Sequence, residues 1–351
     1  MCGIVGYIGS ADATPVILDG LKKLEYRGYD SAGIAVIQDQ KIVVRRDAGK
    51  LSHLAELIQN DPIYGPIGIG HTRWATHGEP NARNAHPHLG ASGNIVVVHN
   101  GIVENHLELR EELSAEGTVF NSETDTETIV HLIERLYTPN RGLLSATEEA
   151  LTRIQGAHAV VVMSSYEPDK IIAARIGNAG GVVIGYGINE MYVASDIPAI
   201  LERTRRVTFL ESRQIAAISS NGVLLKAIQG GFSEPQIHIV SWDPVSAEKG
   251  EYRHFMQKEI HEQVRSINDT LAGRVDFDDG KIRIPQLNLS PEKAKKIRKI
   301  VITGCGTAAH AGLVGKIMIE RIARLPVSVE IASKRAAWCW RSANRERQQI
   351  L

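Results

Sequence analysis

Apolar and polar positions along the chain follow two spacings, which separate strands from helices. Residues 4–8 are an unbroken apolar run of strand length, which is typical of a strand buried on both faces. Residues 13–26 place Val16, Leu21 and Leu24 on one helical stripe with charged residues between them. Further strands are predicted at residues 31–37, 41–45, 67–71, 95–98, 160–163, 171–175, 181–184, 191–194, 207–210, 215–218, 223–225, 299–303 and 327–331. Further helices are predicted at residues 51–58, 104–116, 122–137, 252–263 and 309–324.

The order of these elements predicts two domains. Seven short strands between residues 156 and 227 follow one another, which favours two antiparallel sheets with helices outside over alternating strand–helix units. Residues 230–251 have no period and contain Pro235 and Pro244, so we expect a linker there. We therefore predict a first domain at residues 1–229, a second that begins within residues 252–333, and an atypical tail at residues 334–351.

Composition narrows the classes of function. The chain has 351 residues, with 40 Lys plus Arg and 40 Asp plus Glu, so its formal net charge is zero. The charge therefore gives no reason to expect nucleic acid or an anionic membrane as a partner. Three scattered cysteines, Cys2, Cys305 and Cys339, fit a reducing cytoplasm better than a disulfide framework. We find neither a signal peptide nor an apolar run that could span a bilayer, and we expect a cytoplasmic protein.

Cys2 is the first candidate for chemistry. If Met1 is removed, Cys2 carries both a thiol, with an ordinary pKa of about 8.5, and a free α-amine, with a pKa of about 7.7 to 8.0. The amine can then accept the proton of the thiol, so one residue supplies a nucleophile and its base. The alternative from these residues alone is a chance cysteine at a frayed end.

The residues that follow two of the predicted strands are further candidates. Residues 72–80 have neither strand nor helix period and predict a loop, which makes Arg73, Trp74 and His77 binding candidates. Asn100-Gly101 ends another predicted strand and suits an oxyanion hole, although an isolated Asn-Gly is more often a tight turn. Asp125 belongs to a segment in which Ser122 with Asp125, or Thr124 with Glu127, has the spacing of a capping box. It could therefore be only an acidic residue in the first turn of a helix.

Histidines are concentrated in the same part of the chain. His86 and His88 could supply two metal ligands, but no cysteine partner and no His-Glu-x-x-His helix accompanies them. We therefore expect ordinary hydrogen-bonding histidines and no metal. Six of the thirteen histidines lie in this region: His71, His77, His86, His88, His99 and His106.

Taken together, these stretches resemble the glutamine:fructose-6-phosphate aminotransferase family, also called glucosamine-6-phosphate synthases. The resemblance covers residues 1–333 and joins an N-terminal thiol, an arginine loop, an Asn-Gly and an aspartate in one order. It rests on residues 2–6, 24–33, 71–80, 84–88, 99–101, 122–127, 252–263 and 304–307.

The resemblance implies an α/β (α+β) fold that begins with an N-terminal-nucleophile hydrolase αββα sandwich acting on glutamine. In such a domain Cys2 attacks the glutamine amide, its own amine is the base, and Asn100 and Gly101 hold the oxyanion. The family implies roles for five more residues. Arg73, with Thr76 and His77, would bind the substrate α-carboxylate, Asp125 would bind the α-ammonium, and Trp74 would gate an ammonia channel.

For the second domain the resemblance implies a flavodoxin-like sugar-isomerase fold that is incomplete here. Residues 299–324 form a strand, a glycine-bearing turn and a helix, which suits phosphate, and the family places the sugar phosphate on Thr307. Ala308 and Val264 replace the Ser and Pro of many members. The second phosphate loop and the isomerisation residues of the family are not found after residue 333, so we expect a truncated or frame-shifted end.

The expected partners are therefore glutamine and fructose 6-phosphate, the latter bound weakly or not at all, with no cofactor. The full-length family implies a homodimer. Two alternatives remain: another glutamine amidotransferase with the same nucleophile domain, making phosphoribosylamine or asparagine, or a non-catalytic fragment that binds full-length subunits. The glycine turn at residues 304–307, in place of a phosphoribosyl or ATP-pyrophosphate loop, counts against the first.

Overall fold

A computed structural model describes most of the chain. The described residues are 2–75, 78–241, 252, 255–272, 274–276, 279, 281–282, 290–304 and 307–331. The chain divides into two compact units after Ile260, and each unit is described by itself. The predicted domain boundaries at residues 229 and 251 stay predictions, because residues 242–251 lie outside the described part.

Two sheets form the first unit. The eight-stranded sheet has the order β15-β11-β9-β10-β1-β4-β2-β3 and the seven-stranded sheet the order β14-β13-β12-β8-β7-β6-β5. The strands are β1 (Gly3–Ile8), β2 (Ser31–Gln38), β3 (Lys41–Ala48), β4 (Ile67–Arg73), β5 (His88–Leu89), β6 (Ile95–Gly101), β7 (His158–Ser164), β8 (Ile171–Ile176), β9 (Val183–Tyr186), β10 (Met191–Ala194), β11 (Arg206–Phe209), β12 (Gln214–Ser219), β13 (Gly222–Ala227), β14 (Phe232–Ser233) and β15 (His238–Ile239).

Every pairing reported within these two sheets is antiparallel, and β1 lies between β4 and β10. The helices that cover the sheets are α1 (Ala13–Leu24), α2 (Leu51–Asn60), α3 (His106–Ala115), α4 (Thr126–Leu136) and α5 (Gly142–Arg153). Short 3-10 turns follow α1 and β10, at Glu25–Arg27 and Ile197–Ala199. Next along the chain is α6 (Phe255–Leu271).

The central strands are apolar on both faces because both of their faces are covered. Ile4 packs with Ile69 and Val98 between the two sheets, whereas its neighbour Val5 packs on the other face, against α1 and α2. A third apolar cluster lies between the seven-stranded sheet and α3, α4 and α5. The result is four layers, helix, sheet, sheet and helix, which confirms the predicted sandwich.

Two glycines let α1 approach the eight-stranded sheet closely. A Cβ on Gly70 would lie 2.5 Å from Ile17 Cγ2, and one on Gly68 would lie 2.9 Å from Ile17 Cδ1. Ile17 is fully buried, and burying such a side chain stabilises the fold by about 1.5 to 3 kcal/mol. The isoleucine–glycine alternation of β4 therefore serves the sheet core on one face and close helix contact on the other.

Three local predictions were wrong or incomplete. The strand β4 continues through Thr72 and Arg73, which pair with Ala32 and Ser31, so the predicted loop begins only at Trp74. The helix α5 was not predicted, because its buried stripe consists largely of weakly apolar alanine and threonine.

The predicted capping box is also absent. Asp125 takes the N-cap position of α4 without a side-chain capping bond, and Ser122 instead donates to the carboxylate of Glu127 through its backbone N–H and its hydroxyl.

The second unit contains one parallel strand–helix–strand motif. The strands β18 (Ile300–Gly304) and β19 (Val327–Ile331) pair in parallel, with Ile302 opposite Val329. The helix α8 (Thr307–Ile322) connects them and packs Gly312 against Ile302. This confirms the predicted strand and helix, whereas Cys305 and Gly306 of the predicted turn lie outside the described residues. The remaining short elements are β16 (Val275–Asp276), β17 (Lys281–Ile282) and α7 (Pro291–Lys295).

Candidate active site

Cys2 immediately precedes β1, one of the central strands of the eight-stranded sheet. Its Sγ accepts a hydrogen bond from the backbone N–H of Trp74 at 3.1 Å. Its carbonyl oxygen accepts one from Nδ2 of Asn100 at 3.2 Å. Cys2 is therefore held by both sheets, and we do not find the frayed end that was the alternative from sequence.

The environment of the thiol keeps it protonated. Burial raises the pKa of Cys2 above its ordinary value, and the Trp74 hydrogen bond and the charges of Arg73 and Arg27 offset only part of this effect. A nucleophile of this kind needs a base to remove its proton.

Arg73 is the last residue of β4 and is 3 % exposed. Its guanidinium donates to the carbonyl oxygens of Gly78 and Glu79, both at 3.4 Å, which are long hydrogen bonds. Burial lowers its pKa, although an arginine remains charged at neutral pH. A buried guanidinium on a rigid strand end is well suited to bind a carboxylate with two parallel hydrogen bonds.

Asp125 supplies the negative charge of the site and is 4 % exposed. Its Oδ2 accepts a hydrogen bond from the backbone N–H of Val103 at 2.7 Å, which fixes the carboxylate between α4 and the segment after β6. An ionised carboxylate has about four acceptor positions, so it retains capacity for a cationic ligand.

Asn100 and Gly101 end β6 and pair with Ala159 and His158 of β7, so the Asn-Gly is the end of a strand and not a tight turn. Gly101 has a φ of 140°, a backbone conformation that glycine adopts readily. The Oδ1 of Asn100 lies 3.0 Å from Nε2 of His71.

These residues open into one cavity of about 430 Å³. It joins six of the residues singled out from sequence, Cys2, Arg73, Trp74, Asn100, Gly101 and Asp125. Sequence reasoning did not nominate Glu104, a second carboxylate of the cavity, because nothing in the local pattern sets it apart. The remaining lining residues are His86, His99, Ile102, Thr126, Ala157 and Ala179.

Three further predicted site residues are Thr76, His77 and Thr307. Thr76 and His77 lie outside the described residues. Thr307 is the exposed first residue of α8 in the second unit.

Trp74 is 47 % exposed and packs edge-on against Tyr29, with ring centroids 5.6 Å apart.

Buried histidines adjoin the cavity. The hydroxyl of Thr126 lies 2.9 Å from Nε2 of His86 and 2.8 Å from Nδ1 of His99. Burial lowers the pKa of His71 and of His158 to about 4, so both are neutral at pH 7. Among the described residues, no group of three or more His, Cys, Asp or Glu is arranged to hold a metal ion.

Comparison with known proteins defines the class. Residues 71–202 match the family described as "Glutamine amidotransferase domain". A glutamine phosphoribosylpyrophosphate amidotransferase from B. subtilis, complexed with ADP and GMP, shares the fold, with a TM-score of 0.59 and 20 % identity over 93 % of this chain and 65 % of that one. Residues 71–202 therefore correspond to a glutamine amidotransferase domain.

The relatives in sequence are more specific. The chain is 50 % identical over 334 residues to a glutamine–fructose-6-phosphate aminotransferase [isomerizing] of Symbiobacterium thermophilum, and 49 % identical over 334 residues to the protein of that name from Clostridium tetani. Each match covers 95 % of this chain and 54 % of the relative, so the chain spans about half the length of these relatives. The resemblance drawn from the motifs is confirmed. Within the described residues, no helix is long and apolar enough to cross a membrane.

Proposed function

We propose that this chain hydrolyses glutamine to glutamate and ammonia, with Cys2 as the nucleophile. The observation that carries the proposal is the single cavity shared by a thiol, a side-chain amide, a buried guanidinium and a carboxylate. Glutamine carries the matching groups: an α-carboxylate, an α-ammonium and an amide carbon to be attacked.

The α-amine of Cys2, free once Met1 is removed, takes the thiol proton as Sγ attacks the amide carbon. The raised pKa of this thiol supports the need for such a base. The C–N bond then breaks, ammonia leaves with the transferred proton, and a thioester joins Cys2 to the glutamyl group. Water hydrolyses the thioester to glutamate and restores the thiol.

The oxyanion formed in both steps is assigned to Asn100 and the backbone N–H of Gly101. Nδ2 of Asn100 carries two protons, and its hydrogen bond to the Cys2 carbonyl uses one of them, which leaves the other for the oxyanion. Such a donor is worth about 3 kcal/mol of transition-state stabilisation.

Arg73 is assigned to the substrate α-carboxylate, with Thr76 and His77 as its proposed helpers, and Asp125 to the α-ammonium. The opposite charges of Arg73 and Asp125 in one cavity support recognition of a free amino acid in preference to an amide within a peptide. Trp74 is proposed to gate the exit of ammonia, which its position beside the thiol supports.

The complete reaction of the longer relatives, which are named for glutamine and fructose 6-phosphate, is a further step. We propose that this 351-residue chain carries the glutamine half of that reaction, that Thr307 binds a sugar phosphate weakly at most, and that the chain forms no glucosamine 6-phosphate. The coverage of the relatives supports this, since the chain spans 54 % of their length.

Incubation of the purified chain with glutamine and fructose 6-phosphate, followed by separate assays of glutamate and amino sugar, tests both statements. We expect glutamate at the same rate with and without fructose 6-phosphate, and no amino sugar. Amino sugar above background would contradict the assignment of the second half. Absence of glutamate would favour the non-catalytic alternative.

A further inference from the structure

His71 is a polar residue at a core position of β4. The side chains of Ile67 and Ile69 on this strand pack between the two sheets, and the period of two places His71 on the same face. His71 is 0 % exposed. A buried polar ring costs free energy unless it forms hydrogen bonds, so its contacts have to account for its presence.

The contacts of His71 define which nitrogen carries the proton. Nε2 lies 3.0 Å from Oδ1 of Asn100 and 3.2 Å from the carbonyl oxygen of His99. The carbonyl oxygen can only accept, so Nε2 is the donor. Nδ1 is buried and has no hydrogen-bond partner, and the ring stacks on His86 with centroids 4.3 Å apart.

We propose that His71 is a positioning residue that orients the side-chain amide of Asn100, with its NH₂ toward Cys2. The inference rests on the proposed function, because it concerns the donor assigned to the oxyanion. An asparagine amide can rotate by half a turn and exchange its oxygen with its nitrogen. The N–H of His71 is compatible with only one of these orientations, because in the other the NH₂ of Asn100 would face a second hydrogen-bond donor.

The consequence for catalysis follows from the charges. In the observed orientation the NH₂ group of Asn100 donates to the carbonyl oxygen of Cys2, the residue whose Sγ is the proposed nucleophile. In the reversed orientation the carbonyl oxygen of Asn100 would face the developing oxyanion and repel it. His71 has no exposed surface from which to touch substrate, so it acts through Asn100.

Two substitutions separate the donor from the ring. The amide nitrogen of Gln in His71→Gln reaches the position of Nε2, whereas that of Asn in His71→Asn reaches the position of Nδ1, which has no partner. We expect His71→Gln to keep kcat for glutamine within about tenfold of the wild type, and His71→Asn to lower it about 100-fold or more, the cost of one oxyanion donor. The KM for glutamine should change little in either variant.

Alkylation of Cys2 by iodoacetamide, which needs no oxyanion hole, serves as the control. It should proceed at the wild-type rate in both variants, which separates the loss of amide orientation from damage to the thiol or the fold. Equal kcat in the two variants would overturn the inference. A fall in kcat accompanied by an equal fall in the rate of Cys2 alkylation would overturn it as well.

Measurements that do not depend on turnover distinguish this inference from the proposed function. A long-range ¹H–¹⁵N spectrum of the wild type should show His71 protonated at Nε2, and a crystal structure of His71→Asn should show the Asn100 amide rotated. Protonation at Nδ1, or an unrotated amide, would refute the role of His71 even if the enzyme is active. A wild type without glutaminase activity would refute the proposed function, and these two measurements would still decide the orientation.

Discussion

The backbone N–H of Trp74 donates a hydrogen bond to Sγ of Cys2 across 3.1 Å, although the two residues are 72 positions apart. The bond links Cys2, which directly precedes β1, to the residue that follows Arg73 at the end of β4. Displacement of this strand end therefore moves the thiol and the guanidinium together.

Cys2→Ala should abolish release of ammonia from glutamine and leave the fold intact, because no other group of the cavity can form the thioester. A glutamine-like electrophile should label Cys2 and not Cys305, since only Cys2 is assigned its own base. Turnover by Cys2→Ala, or labelling at Cys305, would contradict the nucleophile assignment.

The same assignment requires a free α-amine. Protein carrying an uncleaved N-terminal extension should lose glutaminase activity, because acylation removes the base while it leaves the thiol in place. Removal of the extension up to Cys2 should restore activity, with intact mass as the check on the new terminus. Equal activity of the two forms would point to a different base.

Arg73→Lys should raise the KM for glutamine with a smaller loss in kcat, because an ammonium group cannot replace the two parallel hydrogen bonds of a guanidinium. Arg83→Lys is the matched control, since Arg83 donates to the carbonyl of Asn121 and lines a different cavity. Steady-state kinetics with glutamine measure both. A KM unchanged in Arg73→Lys would remove this residue from substrate binding.

Asp125→Asn should raise the KM for glutamine about tenfold or more, the loss of one hydrogen bond to a charged group. The asparagine oxygen can still accept from Val103, so the melting temperature should change little. Glu104→Gln is the control, because Glu104 is the other carboxylate of the cavity. If Glu104→Gln raised KM and Asp125→Asn did not, the α-ammonium would bind at Glu104.

Gly28→Ala should disrupt the site although it replaces none of the predicted site residues. A Cβ at Gly28 would lie 2.8 Å from the carbonyl carbon of Arg73 and 3.0 Å from the backbone nitrogen of Trp74, and backbone atoms cannot rotate away. We expect a loss of about 1 to 3 kcal/mol in stability and a fall in kcat/KM. Gly231→Ala, where nothing lies within 4 Å, should change neither. Full activity of Gly28→Ala would show that the strand end is more mobile than the contacts imply.

Stability should decrease as the pH falls from about 6.5 toward 4. Burial lowers the pKa of His71 and of His158 to about 4 from the ordinary 6.5, so in this interval the unfolded chain binds protons that the folded chain does not. Each histidine then lowers the free energy of unfolding by about 1.4 kcal/mol per pH unit. The effect is absent above pH 6.5, where both states are neutral.

Urea unfolding at pH 7.0, 6.0 and 5.0 measures this slope. The range avoids the buried Glu127 and the half-buried Glu134, whose pKa values lie at about 2 because hydrogen bonds from His131 and serine outweigh the effect of burial. Their contribution to stability is lost only below about pH 4.5. His158→Gln should reduce the slope by the share of one histidine. A free energy of unfolding that stays constant over this range would contradict the burial of neutral histidines.

The sequence alone determined most elements and predicted which groups react. The unbroken apolar runs of β1 and β6 predicted strands with both faces covered, because only such strands lack polar positions. The resemblance of the motifs assigned Cys2, Arg73 and Asp125 in advance. The pattern did not reveal α5, because alanine and threonine make up most of its buried face beside Leu143 and Leu151.

Only the tertiary structure decided how these groups meet. The hydrogen bond from Trp74 to Cys2 and the contact of His71 with Asn100 join residues 72 and 29 positions apart. The first depends on the register of β1 against β4 within one sheet, and the second on the packing of one sheet against the other. A shift of register by one residue would turn every side chain of a strand to the opposite face. A local pattern of apolar and polar residues indicates which face of a strand is buried but not which strands pair with it or pack against it. The orientation of the Asn100 amide was therefore decided by the fold.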